Sequence, residues 1–355
     1  MNLFIDDLIF SLQKAGGISV YWSELMMRMN MAEKEIAMHC FHSKNSNNIL
    51  SEKINWQQQI SKDLIMPLLL KRFLPLLNTL PTKSIYHSSY LRWSRQKDVV
   101  NVLTIHDLAP EMGLIEGKGK HIRKWQQSKA IKKCDGILCV SETIRLQLLQ
   151  YYPFLEADHV KAVYHGVSDS FYPTEKKLQK EPFILFVGHR SGYKNFGLAV
   201  AILNAMPNMK LVIVGGKELT AKEQKLLNEK LEGRYEFKAI VTVAALNELY
   251  NNAFCLLYPS SYEGFGLPIA EAMKVGCPVV TTNKAAIPEI AGMGALQINS
   301  FAVNDFVNAI QSLNNQSVRQ ELIKNGKEQA VNFSWDKCFE ETFDFYEFIW
   351  QKKFG

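Results

Sequence analysis

Short apolar runs alternate along the chain with stretches whose apolar residues recur at helical spacing. Residues 3–5, 36–41, 84–87, 99–104, 136–140 and 160–164 read as buried strands. Between them, Tyr21, Leu25, Met26 and Met29 mark one helix, and Ile144, Leu146, Leu148 and Leu149 mark another behind Ser141, a plausible N-cap. A second series follows: strands over 183–188, 210–214, 236–240, 254–258 and 277–282, with helices from Phe196, over 221–231 and 246–251, and from Pro268. Strands that alternate with helices predict doubly wound parallel sheets. Helices over 302–313 and 318–331 precede a last one over 335–351, whose Trp335, Phe339, Phe343, Phe345, Tyr346, Phe348 and Trp350 suit core or interdomain packing.

Between the two series, residues 168–180 are polar and lysine-rich without apolar period, as a linker would be. A chain of 355 residues exceeds one hydrophobic core, so two domains are expected, 1–172 and 173–334, the last helix crossing back to the first. The asparagine-rich stretch 43–48 reads as an exposed loop, and no repeat or low-complexity tract is present.

Composition narrows the setting. Six cysteines stand in apolar contexts without a C-x-x-C pair, which suggests neither a zinc site nor a disulfide framework and points to a reducing cytoplasm. Asp6 interrupts the start, so no signal peptide is expected, and the stretch 64–80 is broken by Lys71, Arg72 and two prolines, too soon for a transmembrane helix. The formal charge of +6 favours anionic partners without naming them.

Two segments give that charge a place. Residues 64–77 are strongly apolar around the Lys71–Arg72 pair and fit either an interfacial helix or a core-packed helix pair. Lys118, Lys120, His121, Arg123, Lys124, Lys129, Lys132 and Lys133 crowd a helix around Trp125, fitting either a solvated face or a surface for anionic headgroups or a lipid-diphosphate acceptor. No nucleic-acid module accompanies the charge, so nucleic acid is not expected as a partner.

The densest chemistry lies in 259–271, PSSYEGFGLPIAE. Gly264 and Gly266 allow close backbone approach, and Pro268 opens a helix whose free N–H groups make an anion seat at a strand's C-terminal end. Glu263 stands before the helix and Glu271 about one turn inside it, so the acids face one ligand from different sides. Three further places qualify. Gly16 and Gly17 precede a helix, His106 follows a buried strand, and Arg190 and Lys194 place two cations beside the start of the helix at Phe196, where they could neutralise a diphosphate.

Glu263 and Glu271, separated by GFGLPIA and followed by AMKVGCPVV, resemble the E-x7-E motif of glycosyltransferase family 4, retaining enzymes of GT-B fold. The resemblance spans essentially the whole chain, densely over 254–291 and loosely over 33–98. It implies an α/β architecture of two Rossmann-like doubly wound domains facing a cleft, with the donor held mainly by the second. By the same resemblance, Gly16 and Gly17 face donor diphosphate and acceptor, and His106 approaches the transferred sugar. Arg190 and Lys194, closer together than in many members, meet the leaving diphosphate with the N–H groups of Phe265, Gly266 and Leu267. Glu263 orients the sugar, and Glu271 binds ribose hydroxyls.

The implied reaction is hexose transfer from a nucleotide-diphosphate sugar to a saccharide or polyprenyl-diphosphate-linked acceptor, with no metal. GDP-mannose is the first expectation and a UDP-hexose the second. Members often carry a glycine before the helix at 246, which this chain lacks, leaving the base open. Retention through a covalent intermediate or by same-face attack stays open, with family habit on the side of the latter. The implied setting is bacterial surface-polysaccharide or O-antigen assembly in the cytoplasm, at the inner membrane face if the basic surface meets lipid. Alternatives on similar folds are a sugar-nucleotide epimerase, a phosphorylase and a non-catalytic nucleotide-sugar or lipid-binding module.

Overall fold

The structure, a computed structural model, describes residues 1–355 apart from 32–36, 43–45, 47, 52–53, 55–59, 63–66, 116–118, 176–180 and 191, and gives residues 60–62, 69 and 120 by backbone alone. In chain order the first part holds β1 (Asn2–Asp6), α1 (Leu8–Leu12), α2 (Gly17–Met31), β2 (Ala37–His42), β3 (Ile60–Lys62), α3 (Leu68–Lys71), β4 (Ser84–Ser88), β5 (Val99–Ile105), α4 (Lys120–Ile131), β6 (Gly136–Cys139), α5 (Glu142–Tyr151) and β7 (Val160–Ala162). The second holds β8 (Phe183–Val187), α6 (Phe196–Asn204), β9 (Lys210–Val214), α7 (Ala221–Leu231), β10 (Tyr235–Lys238), α8 (Val243–Asn252), β11 (Cys255–Tyr258), α9 (Leu267–Val275), β12 (Val279–Thr282), α10 (Ile287–Ala291), β13 (Leu296–Ile298), α11 (Val303–Ser312) and α12 (Gln316–Ala330). The last helix is α13 (Trp335–Phe354).

These elements form two compact units, Met1–Gly166 with Trp335–Gly355 and Val167–Ser334. The contact boundary falls before the expected 172/173 because the chain beyond Val167 is already bonded within the second unit. The Tyr172 N–H donates to Asn247 Oδ1 at 3.1 Å and the Thr174 N–H to Asn251 Oδ1 at 2.7 Å, both on α8.

In the first unit a seven-stranded sheet runs β3-β2-β1-β4-β5-β6-β7 with every pairing parallel. Strands covered on both faces read as unbroken apolar runs, and every residue of β5 is buried. Strand order reverses between β1 and β4, where the buried Asp6 carboxylate accepts from the Tyr86 hydroxyl, from Ser88 Oγ at 3.0 Å and from the Ser89 N–H at 3.2 Å. Helix α13 packs on α2 and β5 with its aromatic face inward. Its polar groups tie it down: Trp350 Nε1 donates to the Lys83 carbonyl at 3.0 Å, and Lys353 Nζ donates to Asp135 Oδ1 at 2.8 Å and to the Val99 carbonyl at 2.7 Å.

The apolar segment 64–77 is not one helix. Residues 64–66 lie outside the described residues, and α3 covers only Leu68–Lys71 because Pro67 and Pro75 bound it. Leu76 and Leu80 join a core cluster with Phe4, Phe41, Tyr86 and Val99, whereas Leu68, Leu70 and Leu77 are exposed. Among the described residues no helix is long and apolar enough to cross a membrane.

The second unit carries a six-stranded parallel sheet in the order β10-β9-β8-β11-β12-β13, with its reversal between β8 and β11. Helix starts are fixed by side chains: Thr220 and Glu223 form a capping box on α7, and Thr242 caps α8. Helix α9 is wedged between the sheet and α12, where Gly294 comes so close that an added Cβ would lie 2.5 Å from Gly326 Cα and 2.7 Å from Met273 Sδ. Gly294→Ala should therefore destabilise this unit by about 1–3 kcal/mol, the usual overpacking range. Gly326→Ala, whose Cβ would come no closer than 3.2 Å to Met273 Cγ and 3.3 Å to the Gly294 carbonyl oxygen, is the milder control. Denaturant midpoints of the two variants check this, and equal midpoints would refute the close contact.

Candidate functional site

Ligands of doubly wound sheets bind outside the C-terminal ends of the strands where the order reverses. In the second unit that point is served by the loops after β8 and β11. The first ends in a single helical turn, Gly192–Lys194, and Asn195, in left-handed conformation, starts α6. The two loops are stitched together: the Ser261 N–H donates to the Tyr193 carbonyl at 2.8 Å, and Asn195 Nδ2 to the Pro259 carbonyl at 2.9 Å.

Across that seam Lys194 Nζ lies 2.5 Å from Glu263 Oε1 and 2.9 Å from the Tyr258 hydroxyl. Glu263 is 8% exposed and Tyr258 2%. Beyond Glu263 the backbone turns through Gly266 at φ 95° into α9, whose first turn has no side-chain cap and whose Pro268 has no N–H to satisfy. The Phe265 ring packs edge-on against Phe333, with centroids 5.4 Å apart. An uncapped helix start, a half-buried cation and a buried carboxylate thus sit on adjoining loops, an arrangement that can accept an anion and orient hydroxyl groups.

Glu271, in the second turn of α9, accepts from the Tyr250 hydroxyl at 2.9 Å. Burial pushes its carboxyl up to about 7, with the Tyr250 bond pulling the other way. The two acids therefore differ: Glu263 has an ammonium against it, whereas Glu271 has a neutral donor.

Arg190, expected beside Lys194 as a second cation for the diphosphate, is committed elsewhere. Its Nε pairs with Glu223 Oε1 at 3.0 Å, Nη1 donates to the Gly215 carbonyl at 2.8 Å, and Nη2 donates to the carbonyls of Lys217 and Glu218 at 2.5 and 3.2 Å. The guanidinium holds the turn after β9 against the start of α7, its fork satisfied by acceptors far away in sequence.

In the first unit, Gly16 and Gly17 stand at the start of α2, where the Gly16 carbonyl accepts from Ser19 Oγ at 2.9 Å and the Val20 N–H at 3.0 Å. One turn on, the Tyr21 ring meets the His106 ring edge-on at 5.1 Å, and His165 lies 5.5 Å from His106. Both ring nitrogens of His106 are buried without a hydrogen-bond partner among the described residues. Burial pulls its imidazole down to about 3, so it is neutral at physiological pH. Behind it, the Tyr346 hydroxyl meets His87 Nδ1 at 2.6 Å, and Thr104 Oγ1 meets His87 Nε2 at 2.9 Å and the Tyr21 hydroxyl at 3.1 Å. Sequence reasoning passed over Tyr21, His87, Thr104, His165, Tyr250 and Tyr258; a hydroxyl or imidazole inside a buried strand or helix face, which has to find a partner, was the available signal.

The raised Glu271 carboxyl makes a pH prediction. With an unfolded value of 4.5 and a folded one of about 7, the proton is held more tightly in the folded chain, so the contribution to stability is full below 4.5 and is lost as pH rises through 7. Glu271→Gln should remove this dependence, narrowing the stability difference between pH 5 and pH 8 by about 1–3 kcal/mol in denaturant titrations. An identical pH dependence in the variant would refute a desolvated carboxyl held by the neutral Tyr250 donor.

Residues 15–171 match the family described as Glycosyltransferase Family 4, and residues 169–329 match Glycosyl transferases group 1. The chain is 32% identical over 232 residues to O-antigen chain mannosyltransferase B of Escherichia coli and 27% identical over 214 residues to O-antigen chain mannosyltransferase RfbU of Salmonella typhimurium. The first match spans 60% of this chain and 60% of its relative, and the second 59% and 60%. Among solved structures, sucrose-phosphate synthase from Thermosynechococcus elongatus superposes over 99% of this chain and 100% of its own with a TM-score of 0.77 at 17% identity. Anabaena HepE in complex with UDP-glucose covers 98% of this chain and 99% of its own with a TM-score of 0.74 at 14% identity. With abutting family matches from residue 15 to residue 329 and two Rossmann-like units of the GT-B class, the chain belongs to the group 1, family 4 glycosyltransferases.

Proposed function

We propose that the chain is a retaining hexosyltransferase that moves a sugar from a nucleotide-diphosphate donor to a hydroxyl of a saccharide or polyprenyl-diphosphate-linked acceptor. The observation that carries this is the part-buried Lys194–Glu263 pair beside the uncapped start of α9, at the reversal of the second sheet. The second unit is the donor side and the first the acceptor side. As the glycosidic carbon–oxygen bond to the diphosphate breaks, Lys194 and the N–H groups of Phe265, Gly266 and Leu267 take the charge that develops on the leaving phosphate oxygen. Arg190 serves that loop by position, through the turn it holds.

Glu263 orients the sugar hydroxyls and Glu271 accepts from the ribose. Within the first unit, His106 offers a neutral imidazole that can hydrogen-bond without adding charge, and Gly16 and Gly17 leave the backbone open to close approach, features that suit the acceptor side. The acceptor hydroxyl attacks on the face that the diphosphate leaves and gives its proton to the departing phosphate oxygen, so no protein nucleophile is required. Mannose from a guanosine donor is the first assignment, supported by two O-antigen mannosyltransferases among the relatives, and a uridine donor is the second, supported by the UDP-glucose bound to HepE.

The lipid side of the proposal rests on the first unit. Leu68, Leu70, Ile122 and Trp125 are exposed on α3 and α4, with Arg123 and Lys124 between the last two, and Gln126 Nε2 donates to the Arg72 carbonyl, joining the segments. Lys118 of the basic run lies outside the described residues. Trp125→Ala should reduce cosedimentation with phosphatidylglycerol vesicles; equal sedimentation of both proteins, or equal retention on neutral vesicles, would remove the membrane part.

Calorimetry against GDP, UDP, ADP and dTDP tests the donor side. One tight diphosphate is expected, weakened by Lys194→Ala and by Glu271→Gln, the former by roughly 10- to 100-fold on the scale of a hydrogen bond to a charged group. Binding of none of the four would overturn the reading. Lys194→Ala and Glu263→Ala should each abolish transfer in proteins whose circular dichroism is unchanged, and full activity in both would sink the site assignment.

A further inference from the structure

Tyr258 closes β11, a strand otherwise made of Cys255, Leu256 and Leu257, and its phenol is buried at the foot of the donor loop. Packing alone would be met by any large apolar side chain there; a hydroxyl in such a place has to be partnered. It accepts from Lys194 Nζ at 2.9 Å, the same nitrogen that donates to Glu263 Oε1 at 2.5 Å, and its ring centroid lies 5.0 Å from that nitrogen. The strand end itself is held by Thr281 Oγ1, which donates to the Tyr258 carbonyl at 2.7 Å. An ammonium has three N–H donors. Glu263 and Tyr258 fix two of them, which leaves the direction of the third determined.

We propose that Tyr258 is a positioning residue for donor binding: its hydroxyl, together with Glu263, fixes the Lys194 ammonium so that the remaining N–H meets the diphosphate. The inference rests on the reading of Lys194 as the diphosphate cation. Burial and the neighbouring Glu263 carboxylate push the phenol well above its ordinary value, so it stays neutral and adds no charge to compete with the phosphate. A phenylalanine would fill the same space and leave the ammonium one fixed partner, free to follow Glu263 rather than the ligand.

The test is a double-mutant cycle, by calorimetry, with the nucleoside diphosphate that the wild-type chain binds and with the matching nucleoside. Tyr258→Phe should weaken the diphosphate by about five- to tenfold, the scale of one ordinary net hydrogen bond and less than the loss of the ammonium itself, and leave the nucleoside unchanged. On a Lys194→Ala background the same substitution should have no effect, because a residue that acts through Lys194 has nothing left to position. Wild-type affinity in Tyr258→Phe overturns the proposal, as does an equal loss on both backgrounds, which is what a packing role would give. A Tyr258→Phe protein that does not fold also overturns it, by assigning the hydroxyl to stability. If Lys194→Ala itself binds the diphosphate like wild type, the reading of Lys194 fails first, and that outcome is distinct from the others.

Discussion

A cation and an anion 2.5 Å apart, both largely withdrawn from water, are tolerated in a protein interior only when each is the other's partner and the surroundings supply the remaining hydrogen bonds. Lys194 and Glu263 meet that condition because two loops that begin on neighbouring strands are fastened together backbone to backbone and side chain to backbone. The fastening depends on β8 and β11 being adjacent, and their adjacency is where the sheet changes direction. Topology, loop and ion pair are thus one constraint. If the loops parted, two desolvated charges would be left without partners, and removing one member of such a pair typically costs about 3–5 kcal/mol.

Around that pair the chain uses burial to set charge. Glu263 is held against an ammonium, while Glu271, one helix turn further, has only a phenol and is pushed towards neutrality. In the first unit His87, His106 and His165 are all held neutral by burial, and α13 and β5 supply the hydroxyls that His87 needs. Each unit thus keeps its charge low: in the second, positive charge is concentrated at the Lys194 ammonium and at backbone dipoles, and in the first the imidazoles stay polar without adding a long-range field.

The strands were legible because parallel sheets covered on both faces turn into apolar runs, and the loop at 259–271 was legible because glycine, proline and acid each have a local reason to be where they are. What could not be read depends on partners distant in sequence. The fate of Arg190 is set by Glu223 and the carbonyls of Gly215, Lys217 and Glu218, which no spacing announces. Tyr258 looked like one more apolar strand residue until Lys194 was placed beside it. The apolar stretch at 64–77 mixes residues buried in the sheet's core with residues facing solvent, and hydropathy adds the two together. Strands β3 and β13, at the sheet edges, are three residues each, too short for any period to show.

The first unit is also discontinuous in sequence: its sheet is complete by β7, but the helix that covers it begins 173 residues after that strand ends, after the whole of the second unit. During synthesis, therefore, the second unit has every residue of its own core before the first does. Until α13 emerges, His87 lacks the Tyr346 hydroxyl and the faces of α2 and β5 that it covers stand open to water, exposing apolar surface in the half-made chain. The order of assembly is thus the reverse of the order of translation for the last step: the N-terminal unit is begun first and finished last, and a chain cut short by its final helix would lose the unit it does not adjoin in sequence.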